Sequence, residues 1–505
     1  MWARGRAAIV AGGHRLADSI LTRARPLMLA RLASAALSFA VPLVLARVLV
    51  PSSYGTFKQA WLLSQTLALM LPMGLTMSLY YFVPREPERR DRFVAQTLWV
   101  NLAVGALGGA VLVAAGPAVA RHFGNAELDR ELPVVAIFTA LYIAGNPLDI
   151  AWNASGRIGA AALARAGTEA ARAACMITGA LADRSVHGAF VGIAVATALR
   201  AGFCWIALAR RHGLRGEWRA LRRQVAYALP FGLAFLAIVP QQQWHLYAVG
   251  AAVPAAAFAV YSVGVFQLPI VDILYTPVSE LLQIGIAQAD RERPGPQAGL
   301  ALFHEAVMQL AFAFVPLAGL LLVVAPDLVA FLFSSAYRGA APVFRLSLAS
   351  VVLAALPLDG VMRARAQNRF MLALSVAKLG ATVPLVAGGL ALLGPIGALA
   401  GWIAAEVLAR AAMLWRVARL FGAGPWDVLP FRLLGRMGAA TALAMPAAWL
   451  GLRALSGPAF VRLAAAGLAF AAAYVGLTWA KGWLPAGWAS VFRRGGAAEA
   501  ATSPR

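Results

Sequence analysis

The sequence predicts an all-α polytopic membrane protein of about 14 transmembrane helices. They form two parallel six-helix bundles, related by a pseudo-two-fold along the membrane normal, plus two C-terminal helices. Three observations carry this. Of 505 residues, 61% are hydrophobic and 13% charged, and the mean hydropathy is +0.73; no soluble globular chain of that length approaches such values. The chain repeats itself: Pro147, Leu148 and Asp149 return as Pro357, Leu358 and Asp359, 210 residues on. The cations are also sorted, with about 29 of the 44 Lys and Arg residues on one side of the predicted membrane and about 8 on the other.

A helix needs roughly 20 apolar residues to cross the hydrocarbon, where backbone groups must be bonded within the segment. The apolar runs are residues 26–49, 55–82, 93–117, 132–153, 158–182, 187–208 and 224–249, then 257–287, 303–333, 343–362, 370–393, 396–415, 433–452 and 460–480. The fifth run carries Arg165, Glu169 and Arg172, and counts as a span because it matches 370–393 in the second copy. Pro117 is echoed by Pro326, Gly188 and Gly192 by Gly397 and Gly401, and Arg200 by Arg410, at offsets of 209 or 210. Pro, Gly and Arg are rare enough in spans for this register to mean duplication, a common way of building transporters. Six spans separate equivalent points, so the copies cross in the same direction. They occupy residues 1–212 and 213–423, and residues 424–505 add two spans and a tail.

The net charge of +23 marks topology rather than nucleic-acid binding. Residues 210–223 alone hold six arginines, whereas the outside loops near 250 and 394 hold none. Both termini are expected in the cytoplasm, because the cation-rich side is the inside and the number of spans is even; the high arginine content (41 against 3 lysines) suggests a high-GC genome and hence a bacterial cytoplasmic membrane. The N-terminal arm, with Arg4, Arg6, Arg15, Arg23 and Arg25, does not read as a cleavable signal. Cys175 and Cys204 lie inside runs, as buried small side chains. No loop has room for a folded domain. No metal-spaced His or Cys cluster, phosphate-binding glycine loop or nucleophile elbow occurs, so no enzyme, cofactor or metal is expected. Prolines inside spans 1, 2, 7, 8 and 9 invite kinks.

Function must therefore lie in the helices. Arg165, Glu169 and Arg172 fall within about 60 degrees of one another on one helical face. A charge at mid-membrane costs at least ~2.5 kcal/mol, so the stripe should face protein or a wet cavity. It would form either an anion site for phosphate or a sugar carboxylate, or a structural triad. Lys378, Arg200, Arg31 and Lys58 are further candidates for a cationic cavity, although Arg31, Lys58, Arg345 and Arg410 lie near enough to span ends to snorkel. Asp272 and Glu280 are deep carboxylates suited to ion or proton coupling, or to pairing with a neighbouring cation. Asp149 and Asp359 close the repeated Pro-Leu-Asp element. Each is either a helix break with a local cap or a cytoplasmic gate meeting arginines such as Arg157 or Arg363. The polar cluster Gln241, Gln242, Gln243, Trp244 and His245 reads as an interfacial belt or a sugar contact.

The stretch from Leu45, Ala46, Arg47, Val48, Leu49, Val50 and Pro51 to Tyr54 and Gly55 resembles the first-loop signature of the polysaccharide flippases. These are the Wzx-like lipid-linked oligosaccharide transporters of the multidrug/oligosaccharidyl-lipid/polysaccharide exporter superfamily. The second half is similar at Val260, Tyr261, Ser262 and Val263, and from Ala325, Pro326 and Asp327 through Phe333 to Tyr337 and Ala340. The resemblance implies a V-shaped pair of bundles that works by alternating access. Its cargo would be an undecaprenyl-diphosphate-linked glycan, moved to the periplasmic leaflet during surface-polysaccharide synthesis. It also implies membrane lipids and polysaccharide assembly machinery as partners, and no nucleic acid. Span 1 lacks the carboxylate typical of the superfamily's multidrug antiporters. A cation-coupled drug or metabolite exporter is the alternative, and a membrane polysaccharide polymerase or ligase, which usually needs a large outside loop, is a more distant one.

Overall fold

The computed structural model describes residues 37, 39–292 and 295–485, and among them every regular element is helical. In chain order these are α1 (Phe39–Val48), α2 (Pro51–Met70), α3 (Leu79–Arg85), α4 (Arg90–His122), α5 (Ala126–Gly145), α6 (Pro147–Ala154), α7 (Ile158–Asp183) and α8 (Val186–His212). There follow α9 (Trp218–Ala252), α10 (Ala255–Gly264), α11 (Pro269–Glu292), α12 (Pro296–Leu332), α13 (Ala341–Leu353), α14 (Leu358–Ala364), α15 (Asn368–Phe421), α16 (Phe431–Ala454) and α17 (Ala459–Ala480). Nine helical segments of the described residues are long and apolar enough to cross a membrane. One of them, α15, reverses at Gly394, whose φ of 64° favours a residue without a side chain. It thus supplies expected spans 11 and 12. α2, α7 and α16 are less apolar, and much of expected span 1 lies outside the described residues.

The chain divides into two compact units. One takes in the chain up to Pro240 with Val253–Ala256, the other Gln241–Ala252 and everything from Ala257 on. Within the first, α4 packs on α5, α5 on α8, α7 on α8 and α2 on α5. Leu79, Phe82, Phe93, Leu98, Leu148 and Leu208 form a buried core there. Within the second, α12 packs on α11, α13 and α16, and α16 on α17, with a core of Leu282, Ile286, Phe303, Leu358, Val361 and Phe421. Phe93 and Phe303, and Leu148 and Leu358, stand 210 residues apart, so the duplicated register is also a packing register.

The repeated glycines explain why. A Cβ at Gly188 would lie 2.2 Å from the Gly179 carbonyl oxygen, and one at Gly192 2.0 Å from that of Cys175. In the second unit a Cβ at Gly397 would lie 1.9 Å from the Gly389 oxygen, and one at Gly401 2.1 Å from that of Leu385. α7 and α8, and likewise the two arms of α15, therefore meet backbone to backbone, the close approach that small residues permit in a membrane.

Four expected spans are not continuous helices, two of them because they are interrupted at the Pro-Leu-Asp elements. Run 55–82 breaks after Met70 in a turn through Met73 (φ 44°) and Gly74 (φ 71°) before α3. Run 257–287 breaks between Gly264 and Pro269. A proline lies at each of these last two breaks, Pro72 and Pro269, and removes a donor. Local turns take up the freed groups, among them the Leu75 amide to the Pro72 carbonyl at 2.9 Å and the Val265 amide to that of Tyr261 at 3.1 Å. The Pro-Leu-Asp elements restart helices in both units, α6 at Pro147 and α14 at Leu358.

Candidate functional site

α2 starts at Pro51, whose fixed φ suits the first helical position. A buried polar network ties it to α5. The Asn125 side chain caps α5, accepting from the amides of Glu127 (3.1 Å) and Leu128 (3.3 Å), and donates to Thr56 Oγ1 (2.9 Å) and Gln59 Oε1 (2.7 Å). Ser53 and Thr56 donate to the Glu127 carboxylate at 3.0 and 2.8 Å. With Thr56 and Gln59 held, the rotation of α2 is set, and Phe57, Lys58, Trp61 and Gln65 line a cavity of about 240 Å³ within the first unit. α7 supplies Glu169, Arg172, Ala173 and Met176, at i, i+3, i+4 and i+7 on one face, and α1 supplies Val41 and Pro42.

The charges here are few and specific. Arg172 is ion-paired with Glu169, their side chains 14% and 15% exposed. The Arg172 guanidinium lies 5.7 Å from the centroid of the Trp61 ring and 5.8 Å from that of Tyr142. The Lys58 ammonium lies 5.5 Å from the Tyr54 ring centroid and makes no ion pair among the described residues. Two cations against one carboxylate leave a formal charge of one positive. Trp61 stacks on Phe138 (5.8 Å) and Phe57 on Phe190 (5.5 Å), which stiffens the aromatic wall. Such a pocket can take an anion on its cations and a planar or sugar face on its rings.

The other expected site residues are dispersed. Arg165 is exposed and outside the cavity lining, although it shares a helix face with Glu169 and Arg172. Arg200 donates to Asp149 at 2.8 Å, both mostly buried, whereas Arg157 lies over the Trp152 ring at 4.9 Å. Asp359 accepts from Tyr275 and Arg363, and from Ser279 at 3.3 Å. Lys378, in the second unit, pairs with Glu406, which also holds Arg410 at 2.9 Å. Asp272 and Glu280 are exposed on α11 and make no ion pair among the described residues. Arg31 lies outside the described residues.

Some readings are corrected. Arg410 does not snorkel: it donates to the Leu353 (2.8 Å) and Leu356 (3.1 Å) carbonyls, closing the end of α13 where Pro357 interrupts the helix. Gln241 and His245 are not an interfacial belt but are buried in the second unit. His245 Nδ1 meets the Tyr261 hydroxyl at 2.7 Å, and Trp402 Nε1 donates to the Gln241 carbonyl at 3.0 Å. Glu406, which sequence reasoning passed over, is the one acid of its expected span, and four residues before Arg410 it could have been found as that cation's partner. Nothing in the pattern of α2 marks the cavity role of Trp61 and Gln65.

Comparison with known proteins places this geometry. The chain matches the family described as polysaccharide biosynthesis protein over residues 44–342, more than half its length. No curated protein sequence matches it at a significant level. Among solved structures it is similar to the lipid II flippase MurJ in an inward closed conformation, with TM-score 0.69 and 11% identity over 90% of this chain and 97% of that one. It is also similar to an inward-facing multidrug resistance MATE family transporter of the MOP superfamily, with TM-score 0.58 and 16% identity over 78% and 95% of the chains. A MOP superfamily transporter from Pyrococcus furiosus gives TM-score 0.52 and 15% identity over 79% and 95%. At these identities the likeness is one of fold, and the family match carries the assignment: the chain belongs to the polysaccharide biosynthesis protein family.

Proposed function

We propose that this transporter flips an undecaprenyl-diphosphate-linked oligosaccharide or polysaccharide precursor across the bacterial cytoplasmic membrane, in surface-polysaccharide synthesis. The observation that carries the reading is the cavity in which Lys58 and Arg172 stand among aromatic rings. A diphosphate diester brings two negative charges, which those two cations match. The partly exposed Trp61 ring, backed by Phe57, borders the space for sugar or prenyl groups, and the apolar surroundings suit a lipid tail. The family match over residues 44–342 and the fold shared with a lipid II flippase support the same reading. A cationic drug would meet a positive pocket, which disfavours multidrug export.

The test is complementation of a strain lacking its polysaccharide flippase. Lys58→Ala and Arg172→Ala should each abolish surface glycan while membrane abundance stays normal. Full glycan in the double variant would overturn the assignment of this cavity.

A further inference from the structure

Within the cationic cavity the two members of the ion pair are held very differently. Arg172 is gripped by more than its counter-ion, because the rings of Trp61 on α2 and Tyr142 on α5 lie 5.7 and 5.8 Å from its guanidinium. Those rings are fixed in turn, Trp61 by stacking on Phe138 at 5.8 Å and α2 by the buried Asn125 and Glu127 network. Glu169 has no such support: among the described residues Arg172 is its one polar partner. It sits one turn earlier on α7, on a flexible side chain, and it lines the same cavity as Lys58, which makes no ion pair among the described residues.

We propose that Glu169 is an exchangeable internal counter-ion, standing in for the phosphate while the cavity is empty and displaced from Arg172 when a diphosphate enters. This rests on the diphosphate reading above and adds a competition to it. Charge counting gives the reason. With Glu169 in place, two cations face one carboxylate. A diphosphate diester of charge two negative neutralises Lys58 and Arg172 by itself, and Glu169 then becomes an excess anion beside bound phosphate. A like charge at that distance in a low dielectric is repelled, and rotation away from Arg172 relieves it. Arg172 stays aimed because the aromatic rings remain, and its planar fork takes the phosphate oxygens where it held the carboxylate. When cargo leaves, Glu169 returns and the arginine is never bare in the membrane. The carboxylate thus weakens binding in exchange for release, which a carrier needs and a tight receptor does not.

The experiment uses the full chain in lipid nanodiscs, with inorganic pyrophosphate and undecaprenyl diphosphate as probes and affinity measured by calorimetry. Glu169→Gln, which keeps the shape and removes the competing charge, should bind both probes roughly tenfold tighter, the scale of one charge-assisted hydrogen bond. The same variant should flip lipid-linked glycan more slowly, because release is impaired. Nanodiscs with and without phosphatidylglycerol separate a diphosphate site from a lipid-headgroup site: pyrophosphate binding that anionic lipid abolishes would overturn the inference. If Glu169→Gln does not assemble, Glu169→Asp, with a shorter reach to Arg172, should shift affinity in the same direction by less. Unchanged or weaker binding in the Gln variant, with Arg172→Ala still abolishing it, would sink the counter-ion role and leave the cavity assignment standing. Absence of binding in every variant would remove both.

Discussion

Glu406 meets Lys378 and Arg410 inside a membrane helix pair, and the balance at that point shows what single residues do here. The three side chains are 15–19% exposed, so each charge is largely desolvated and depends on the others. Removing the acid leaves two uncompensated cations. Glu406→Gln should lower stability by about 3–5 kcal/mol, the usual cost of breaking a buried pair from one side, and thermal unfolding in detergent reads this out. Adding Lys378→Met should recover part of the loss, since an apolar replacement needs no partner. At this scale the sequence showed which cations lie within apolar runs, because an arginine or lysine there is visible at sight. It showed partners one helical turn away, Glu169 for Arg172 and Arg363 for Asp359, but not the distant ones. Lys378 and Glu406 are 28 residues apart, and Arg200 and Asp149 are 51 apart. Such pairs depend on helix rotation and on which helices are neighbours, and neither is written in a single run.

Helices are joined in this protein by contacts that tolerate no side chain. α8 crosses α7 at Gly188 and Gly192, and the arms of α15 cross at Gly397 and Gly401. Gly192→Leu and Gly401→Leu should each reduce folded protein sharply, measured as monodisperse yield in detergent, because the added atoms would stand about 2 Å from a carbonyl oxygen. Gly202→Ala, with nothing within 4 Å of the new Cβ, should be neutral or stabilising by up to about 1 kcal/mol through helix propensity. The glycines stood out in the sequence because both copies keep them at one offset. The breaks after Met70 and Gly264 were harder to see. A proline in an apolar run reads as a kink, and only the packing decides whether the chain bends or turns.

For the molecule as a whole, the flippase reading makes expectations that reach beyond one cavity. If Asp272 and Glu280 couple transport to an ion, the double variant Asp272→Asn with Glu280→Gln should lose glycan export in cells. It should still bind pyrophosphate like the native protein, since both carboxylates lie in the unit that does not contain the cavity. Reporter fusions at the C-terminal end and in the arginine-rich stretch of residues 210–223 should both report the cytoplasm, as the distribution of cations requires. By itself the sequence determined that this is a helical membrane protein with a duplicated body, since hydrocarbon thickness and backbone hydrogen bonding leave long, unbroken apolar runs no other form. It also determined that charges are sparse and purposeful, because each one costs free energy in the bilayer. Only the tertiary structure decided which of them meet. It gathered Lys58, Glu169 and Arg172 about one cavity, left Arg165 outside it and closed Arg200 on Asp149. The reason is geometric. Apolarity along a run fixes how deep a residue lies, whereas its neighbours are fixed by how each helix is rotated, and that rotation comes from packing of small residues and from buried polar ties such as Asn125 to Thr56 and Gln59.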